Sequence, residues 1–340
     1  EVIALAPEDD YSYRLDEIGV KFHSLKMDNK GTNPLNDLML LRTYKKSIKD
    51  INPDICLFYT IKPNIYGSLA CSQLGIPFIN NISGLGTVFI RNTISSRIAK
   101  QLYRRSLKNS SMVFFQNESD EEVFKSGKLI RHNRSKVIAG SGVDLNYFKP
   151  GNESVSKDKF VFLMMSRLIF DKGIREFISA SKKLLLEYKD IEIQILGNAE
   201  DEAKLGYSEE IFLNLIDKTS IKWFRKSDDV RPYLKDANVV VLPSYREGIS
   251  KSLLEACAME KPILTTDTPG CRELVPEGKN GLLCRIKDSD DLHEKMIKLY
   301  QTDNQILRKM GKESRKLVEN KYNEEFIFDA YLNAITEILG

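Results

Sequence analysis

Apolar residues in this chain fall in short runs, separated by longer stretches in which they recur three and four positions apart. The runs predict strands at residues 2–6, 55–59, 77–80, 112–116 and 136–139, then at 160–165, 191–196, 220–223, 239–242, 262–265 and 281–284. The longer stretches predict amphipathic helices, for example over 35–51 and 173–188. Strands that alternate with helices imply parallel sheets covered on both faces, and 340 residues suffice for two. The boundary is read at 147–157 (YFKPGNESVSK), where Pro, Gly, Asn and Ser cluster. The chain thus divides into residues 1–150, 151–322 and a last helix within 323–340. That helix carries Phe326, Ala330, Ala334, Ile335 and Ile338 as an apolar face in need of a docking surface. The chain opens without Met on a strand already under way, and is read as a fragment.

Composition narrows the class. With 42% hydrophobic and 29% charged residues the chain is an ordinary globular protein, and a net charge of +3 is too small to argue for nucleic acid. The charge is uneven: residues 1–150 hold 21 basic and 15 acidic side chains (+6), and residues 151–340 hold 30 and 33 (−3). Five cysteines (Cys56, Cys71, Cys257, Cys271, Cys284) without a CxxC pair suit a reduced, cytoplasmic protein. Three scattered histidines (His23, His132, His293) give no metal-ligand spacing and make a His-based triad improbable. No apolar run is long enough to span a bilayer.

Ligands of open parallel sheets sit at the carboxyl ends of the strands, so the loops after each strand are the places to look. After strand 239–242 comes PSYREGISKSLLE, with Glu247 in the loop and Glu255 about 7.5 Å along a helix that starts near Ser250. Free N–H groups at Gly248, Ile249 and Ser250 would suit a phosphate, and the two carboxylates could accept hydroxyl hydrogen bonds on either side of a diphosphate. That pattern fits a nucleotide-sugar. Equally open from spacing alone is a helix-capping Glu247 with Glu255 as a solvated surface charge. Arg167 and Lys172 follow strand 160–165 and could neutralise a diphosphate, or pair with Asp171 or Glu176. Gly197 and Gly270 follow two further strands.

In that order these blocks resemble glycosyltransferase family 4, retaining enzymes with the GT-B fold of two facing doubly wound Rossmann-like domains. The matching segments are GSGVDLNYFKP (140–150), SRLIFDKG (166–173), ILGNAE (195–200), PSYREGISKSLLEACAMEKPILTTDTPGCRELV (243–275) and EGKNGLL (277–283). YTIKPNIYGSLACSQLGIPFINNISGLGTVF (59–89) and VFFQNESDEEVF (113–124) resemble a bacterial subgroup that extends lipid-linked glycans for capsule, O-antigen or protein glycosylation. The resemblance implies that residues 1–150 bind acceptor and 151–322 bind a UDP-sugar, and that the last helix crosses back to the first domain. It implies Arg167 and Lys172 on the diphosphate, Glu247 near the transferred sugar and Glu255 on the ribose. Gly248, Ile249 and Ser250 would meet sugar or phosphate oxygens, and Gly197 would lie near the base. It implies no cofactor and no metal, with retention by front-face attack assisted by the leaving phosphate. It also implies a strand, a loop and a helix ahead of the strand that opens this sequence. Three departures stand out: SGLG at 83–86 has no catalytic His, Glu260 stands where Gly is usual, and Trp223-Phe224-Arg225 replaces a Gly-containing segment.

Residues 91–110 (RNTISSRIAKQLYRRSLKNS) hold six cations, including Arg97, Lys100, Arg104 and Arg105, and no acid. With Ile94, Ile98, Leu102 and Leu107 as a stripe, the segment reads as a helix lying on an anionic membrane, or as a core helix with a solvated basic face. Lys62 and Asn64, after strand 55–59, are candidates for acceptor phosphate contacts. The function these features imply is transfer of a hexose or N-acetylhexosamine from a UDP-sugar to a lipid-linked saccharide, by a cytoplasmic enzyme peripheral on the inner face of the plasma membrane. A UDP-N-acetylhexosamine epimerase and a non-catalytic sugar-nucleotide-binding remnant are the alternatives.

Overall fold

The computed structural model describes residues 1–9, 11–27, 33–85, 94–131, 134–151, 159–199 and 206–340, with backbone alone at 94 and 95. Twelve strands, all in parallel pairs, form three sheets among these residues. β1 (Ile3–Ala6) pairs with β2 (Lys21–Ser24), a strand the hydrophobic pattern does not predict. β3 (Cys56–Tyr59), β4 (Phe78–Ile82), β5 (Met112–Phe115) and β6 (Ser135–Val137) form a four-stranded sheet in that order.

The rest are β7 (Phe160–Met165), β8 (Ile191–Leu196), β9 (Lys222–Phe224), β10 (Val239–Leu242), β11 (Ile263–Thr266) and β12 (Gly281–Cys284). They lie in the order β12-β11-β10-β7-β8-β9. β7 (FVFLMM) and β10 (VVVL) are central and covered by helices on both faces, which is why they read as continuous apolar runs. From β7 the chain winds outward through β8 and β9, then returns to the other side of β7 as β10. The β7/β10 boundary is therefore the topological switch point, where the loops of neighbouring strands diverge and leave a crevice.

The Glu324–Leu339 helix packs on the first four-stranded sheet. Ile327 and Ala334 are buried with Ile79, Phe114 and Ile138, and the Tyr331 ring meets Phe114 edge-on at 4.7 Å. Ala330, Ala334, Ile335 and Ile338 of the expected face pack there, together with Ile327 and Tyr331, whereas Phe326 is 46% exposed. Val143 N donates to Tyr322 O (2.9 Å) where the chain passes between the sheets.

Candidate active site

The loops leaving β7 and β10 are zipped together at the switch point. Tyr245 N donates to Asp171 O (2.7 Å) and Ser244 Oγ donates to the same carbonyl (3.0 Å). Gly173 turns through φ +72° against Pro243 O, a contact that leaves no room for a Cβ. The consequence is an ion pair between Lys172 Nζ and Glu247 Oε1, with side chains only 20% and 12% exposed. Lys172 therefore pairs with neither Asp171 nor Glu176; Glu176 accepts from Tyr245 Oη instead (2.8 Å). Arg167, on the same loop, is exposed and makes no ion pair among the described residues.

Gly197, after β8, packs its Cα against Ser166 O, and its own carbonyl accepts from Trp223 Nε1 (2.9 Å). Close backbone packing alone requires glycine there. Glu260 has φ +55°, the left-handed conformation that a glycine adopts most easily, so the departure noted in sequence keeps the backbone geometry.

Ser250 caps the Lys251–Ala258 helix, accepting from Leu253 N (3.4 Å). The expectation of three free N–H groups before this helix needs correction. Ile249 N donates to Gln116 Oε1 (3.1 Å) and Ser250 N to Gly270 O (3.4 Å), because the helix start is wedged between the first sheet's loops and the loop after β11. Gly248 remains, with its backbone against Gly84 and Ser83.

Glu255, on the helix, is half-buried, and burial pushes its carboxyl up to about 7 despite the opposing charge of Lys251. It has no hydrogen-bond or ion-pair partner among the described residues. A solvated surface charge would not behave this way. The geometry is that of a carboxylate able to accept hydroxyl hydrogen bonds from a ligand.

Sequence reasoning missed the residues that reach this site from the first domain. Asn117 Nδ2 donates to Gly248 O (2.8 Å) and Glu247 O (3.4 Å), and buried Asp120 pairs with Arg246. Burial raises the Asp120 carboxyl pKa, with Arg246 opposing. The available signal was positional: Gln116, Asn117 and Asp120 follow β5, at the carboxyl end of the four-stranded sheet.

The acceptor-side candidates fare differently. Asn64 is 1% exposed; its Nδ2 donates to Asn81 O (2.8 Å) and its Oδ1 accepts from Asn80 Nδ2 (2.9 Å). Both ends of its amide thus brace β4, so the expected phosphate contact is corrected to a structural one. Lys62 is paired with Asp37 at 2.9 Å, both largely buried, so its charge is already neutralised.

On the Ile94–Ser106 helix, Tyr103 is buried with Leu107 just beyond, against Ile65, Phe115 and Phe124, while Ile98 is 56% exposed. Of the expected stripe, Leu102 and Leu107 join the buried cluster and Ile98 does not, and the side chain of Ile94 lies outside the described residues. Arg104 donates to Gly127 O (3.0 Å) and Lys128 O (3.3 Å), closing the carboxyl end of the Glu118–Ser126 helix. Arg97 and Arg105 are exposed, and Lys100 is partly covered. Arg91 and His132 lie outside the described residues.

No cluster of three or more His, Cys, Asp or Glu that could hold a metal occurs among the described residues, and none of their helices is long and apolar enough to cross a membrane. A cavity of about 890 Å³ opens beside Phe160, Asn238 and Pro262, at the amino ends of β7, β10 and β11. It holds none of the candidate residues, and the strand-end rule points to the opposite edge of that sheet.

Similarity to known proteins agrees with this geometry. Residues 146–318, just over half of the chain, match the family model described as glycosyl transferases group 1, and residues 2–117 match one described as glycosyl transferase 4-like. The N,N'-diacetylbacillosaminyl-diphospho-undecaprenol alpha-1,3-N-acetylgalactosaminyltransferase of Campylobacter jejuni is 28% identical, over 100% of this chain and 92% of that protein. The UDP-Gal:alpha-D-GlcNAc-diphosphoundecaprenol alpha-1,3-galactosyltransferase of Escherichia coli is 26% identical, over 85% and 76%. Anabaena Alr3699/HepE, solved in complex with UDP and glucose, shares the fold with a TM-score of 0.82 at 18% identity, over 98% of this chain and 91% of that one. With its GT-B architecture and this site at the switch point, the chain belongs to the group 1 glycosyl transferases and is a glycosyltransferase.

Proposed function

We propose that the chain transfers a hexose or N-acetylhexosamine, with retention, from a UDP-sugar to a saccharide carried on a polyprenyl diphosphate, in bacterial surface-polysaccharide or glycan biosynthesis. The observation that carries this reading is the shielded Lys172–Glu247 pair at the switch point of the second sheet. Two relatives named for undecaprenyl-diphosphate-linked acceptors, and a structural neighbour solved with UDP, support donor and acceptor class.

In this reading an arriving diphosphate competes with Glu247 for the Lys172 ammonium, and Arg167 adds a second cation. Glu247 is thereby released to accept hydrogen bonds from the sugar, and Glu255 takes the ribose hydroxyls. The bond from the anomeric carbon to the β-phosphate oxygen breaks and a bond to the acceptor oxygen forms on the same face. The acceptor proton passes to the departing phosphate oxygen. Lys172 and Arg167 carry the charge neutralisation, and metal-independent turnover is part of the proposal.

Acceptor binding is assigned to the first domain, which meets an anionic membrane on the cytoplasmic face through exposed Arg97 and Arg105, with Ile98 beside them. The test is a panel of UDP-sugars offered with a polyprenyl-diphosphate saccharide, with and without EDTA. The reading expects one UDP-sugar to give an α-linked product, by NMR, at an EDTA-insensitive rate. A β-linked product overturns retention, and turnover without acceptor that alters the sugar favours epimerisation.

A further inference from the structure

Glu247 is the candidate catalytic carboxylate, yet what flanks it is held by the other domain. On one side Arg246 pairs with Asp120, and on the other Asn117 Nδ2 grips Gly248 O at 2.8 Å. Gln116 Oε1 accepts from Ile249 N at 3.1 Å, and Ser83 and Gly84 press their backbone against Gly248. The Glu247 carbonyl also accepts from Asn117 Nδ2 (3.4 Å), but its N–H donates to Pro269 O (3.1 Å) and its carboxylate meets Lys172. The loop is thus pinned from across the cleft at 246, 248 and 249 and at the 247 carbonyl, while the side chain of Glu247 faces the donor side.

We propose that Gln116, Asn117 and Asp120 are positioning residues, a clamp through which the acceptor domain fixes the carboxylate of Glu247 against the donor sugar.

The Asp120–Arg246 pair has the properties such a clamp requires. Asp120 is fully buried, and the Arg246 guanidinium, with Asn117 and the Leu85 backbone, offsets the burial of its charge there. Removing either member would leave the other's charge buried without its partner. Gly84 and Gly248 permit the two loops to pack this closely, since a Cβ on Gly248 would strike Ser83 O and one on Gly84 would lie 3.2 Å from Gly248 N. Because Arg167, Lys172 and Glu255 all belong to the donor domain, the clamp acts on transfer rather than on nucleotide affinity.

The inference rests on the transferase reading of the Lys172–Glu247 site, and its test separates the two. In Asp120→Asn, kcat should fall at least about tenfold while UDP affinity by calorimetry stays within about twofold. Arg246→Lys should keep most of the activity that Arg246→Ala loses, and Asp120→Asn with Arg246→Ala should be no worse than the poorer single variant. Gln116→Ala, a milder change, should lower kcat about threefold with the unfolding midpoint unchanged, which guards against misfolding of the buried variant. Amide exchange at 246–250, read without any ligand, should be at least about tenfold faster in Asp120→Asn. Unchanged exchange there overturns the clamp whatever the donor proves to be. Multiplying effects in the double variant, or parallel losses of UDP affinity and kcat, overturn it too.

Discussion

The two domains present the same architectural feature, polar residues at the carboxyl ends of parallel strands, and use it differently. In the second domain Lys172 pairs with Glu247 at the switch point, and the Glu255 carboxylate, on the helix that follows, lacks a partner among the described residues. In the first domain Asn64 and Lys62 are absorbed by Asn80, Asn81 and Asp37. Position after a strand selects candidates, but whether the fold ties a side chain up at both ends, as it does the Asn64 amide, is decided only in three dimensions. What the first domain offers the site is instead a set of contacts to its partner's loop.

That contrast can be broken experimentally, beginning where the largest effect lies. Lys172→Ala should lower kcat by about 10²–10³-fold, since a positioned cation at the leaving group is lost. Asn64→Ala should instead destabilise the protein by about 1–3 kcal/mol in denaturant titration, leaving buried amide partners unsatisfied, with turnover per folded molecule unchanged. If Asn64→Ala folds normally and transfers slowly, the division between the domains is wrong. Reversing Arg97 and Arg105 to Glu should weaken sedimentation with anionic liposomes at low salt by about tenfold or more, at roughly 1 kcal/mol per charge near the surface. Equal binding by variant and native protein would remove the membrane surface from the account.

The smallest effect concerns pH. The Glu255 carboxyl, ordinarily at 4.5, is raised to about 7, so the folded chain holds its proton more tightly than the unfolded chain does. Stability from this group is therefore fully present below pH 4.5 and is lost as pH rises toward about 7, levelling off above it. Hydroxyl donors favour the ionised form, so affinity for a UDP-sugar should rise across the same window, and Glu255→Gln should flatten both profiles. Parallel profiles in the native and Gln proteins would dissociate Glu255 from the nucleotide.

Much of this was legible in the chain. The eleven strands read from apolar runs all occur, within about two residues at their ends, because buried parallel strands carry that signature. β2 was not, since KFHS is short, largely exposed and paired on one side by β1. Lys172, Glu247 and Glu255 were legible because the strand-end rule needs only local sequence. The clamp was not, because Asp120 and Arg246 are 126 positions apart and nothing near either residue announces the other. The fate of Asn64 was hidden for the same reason: its partners Asn80 and Asn81 become neighbours only when β4 is laid beside the 63–67 turn.

The central claim is that Glu247 serves transfer and not merely binding. Its most direct test is Glu247→Ala, with turnover on a polyprenyl-diphosphate saccharide and UDP-sugar affinity measured on the same preparation. The account predicts at least about a thousandfold loss of kcat with UDP-sugar affinity changed less than about tenfold. Residual transfer near the native rate, or a loss wholly explained by weakened donor binding, would contradict it.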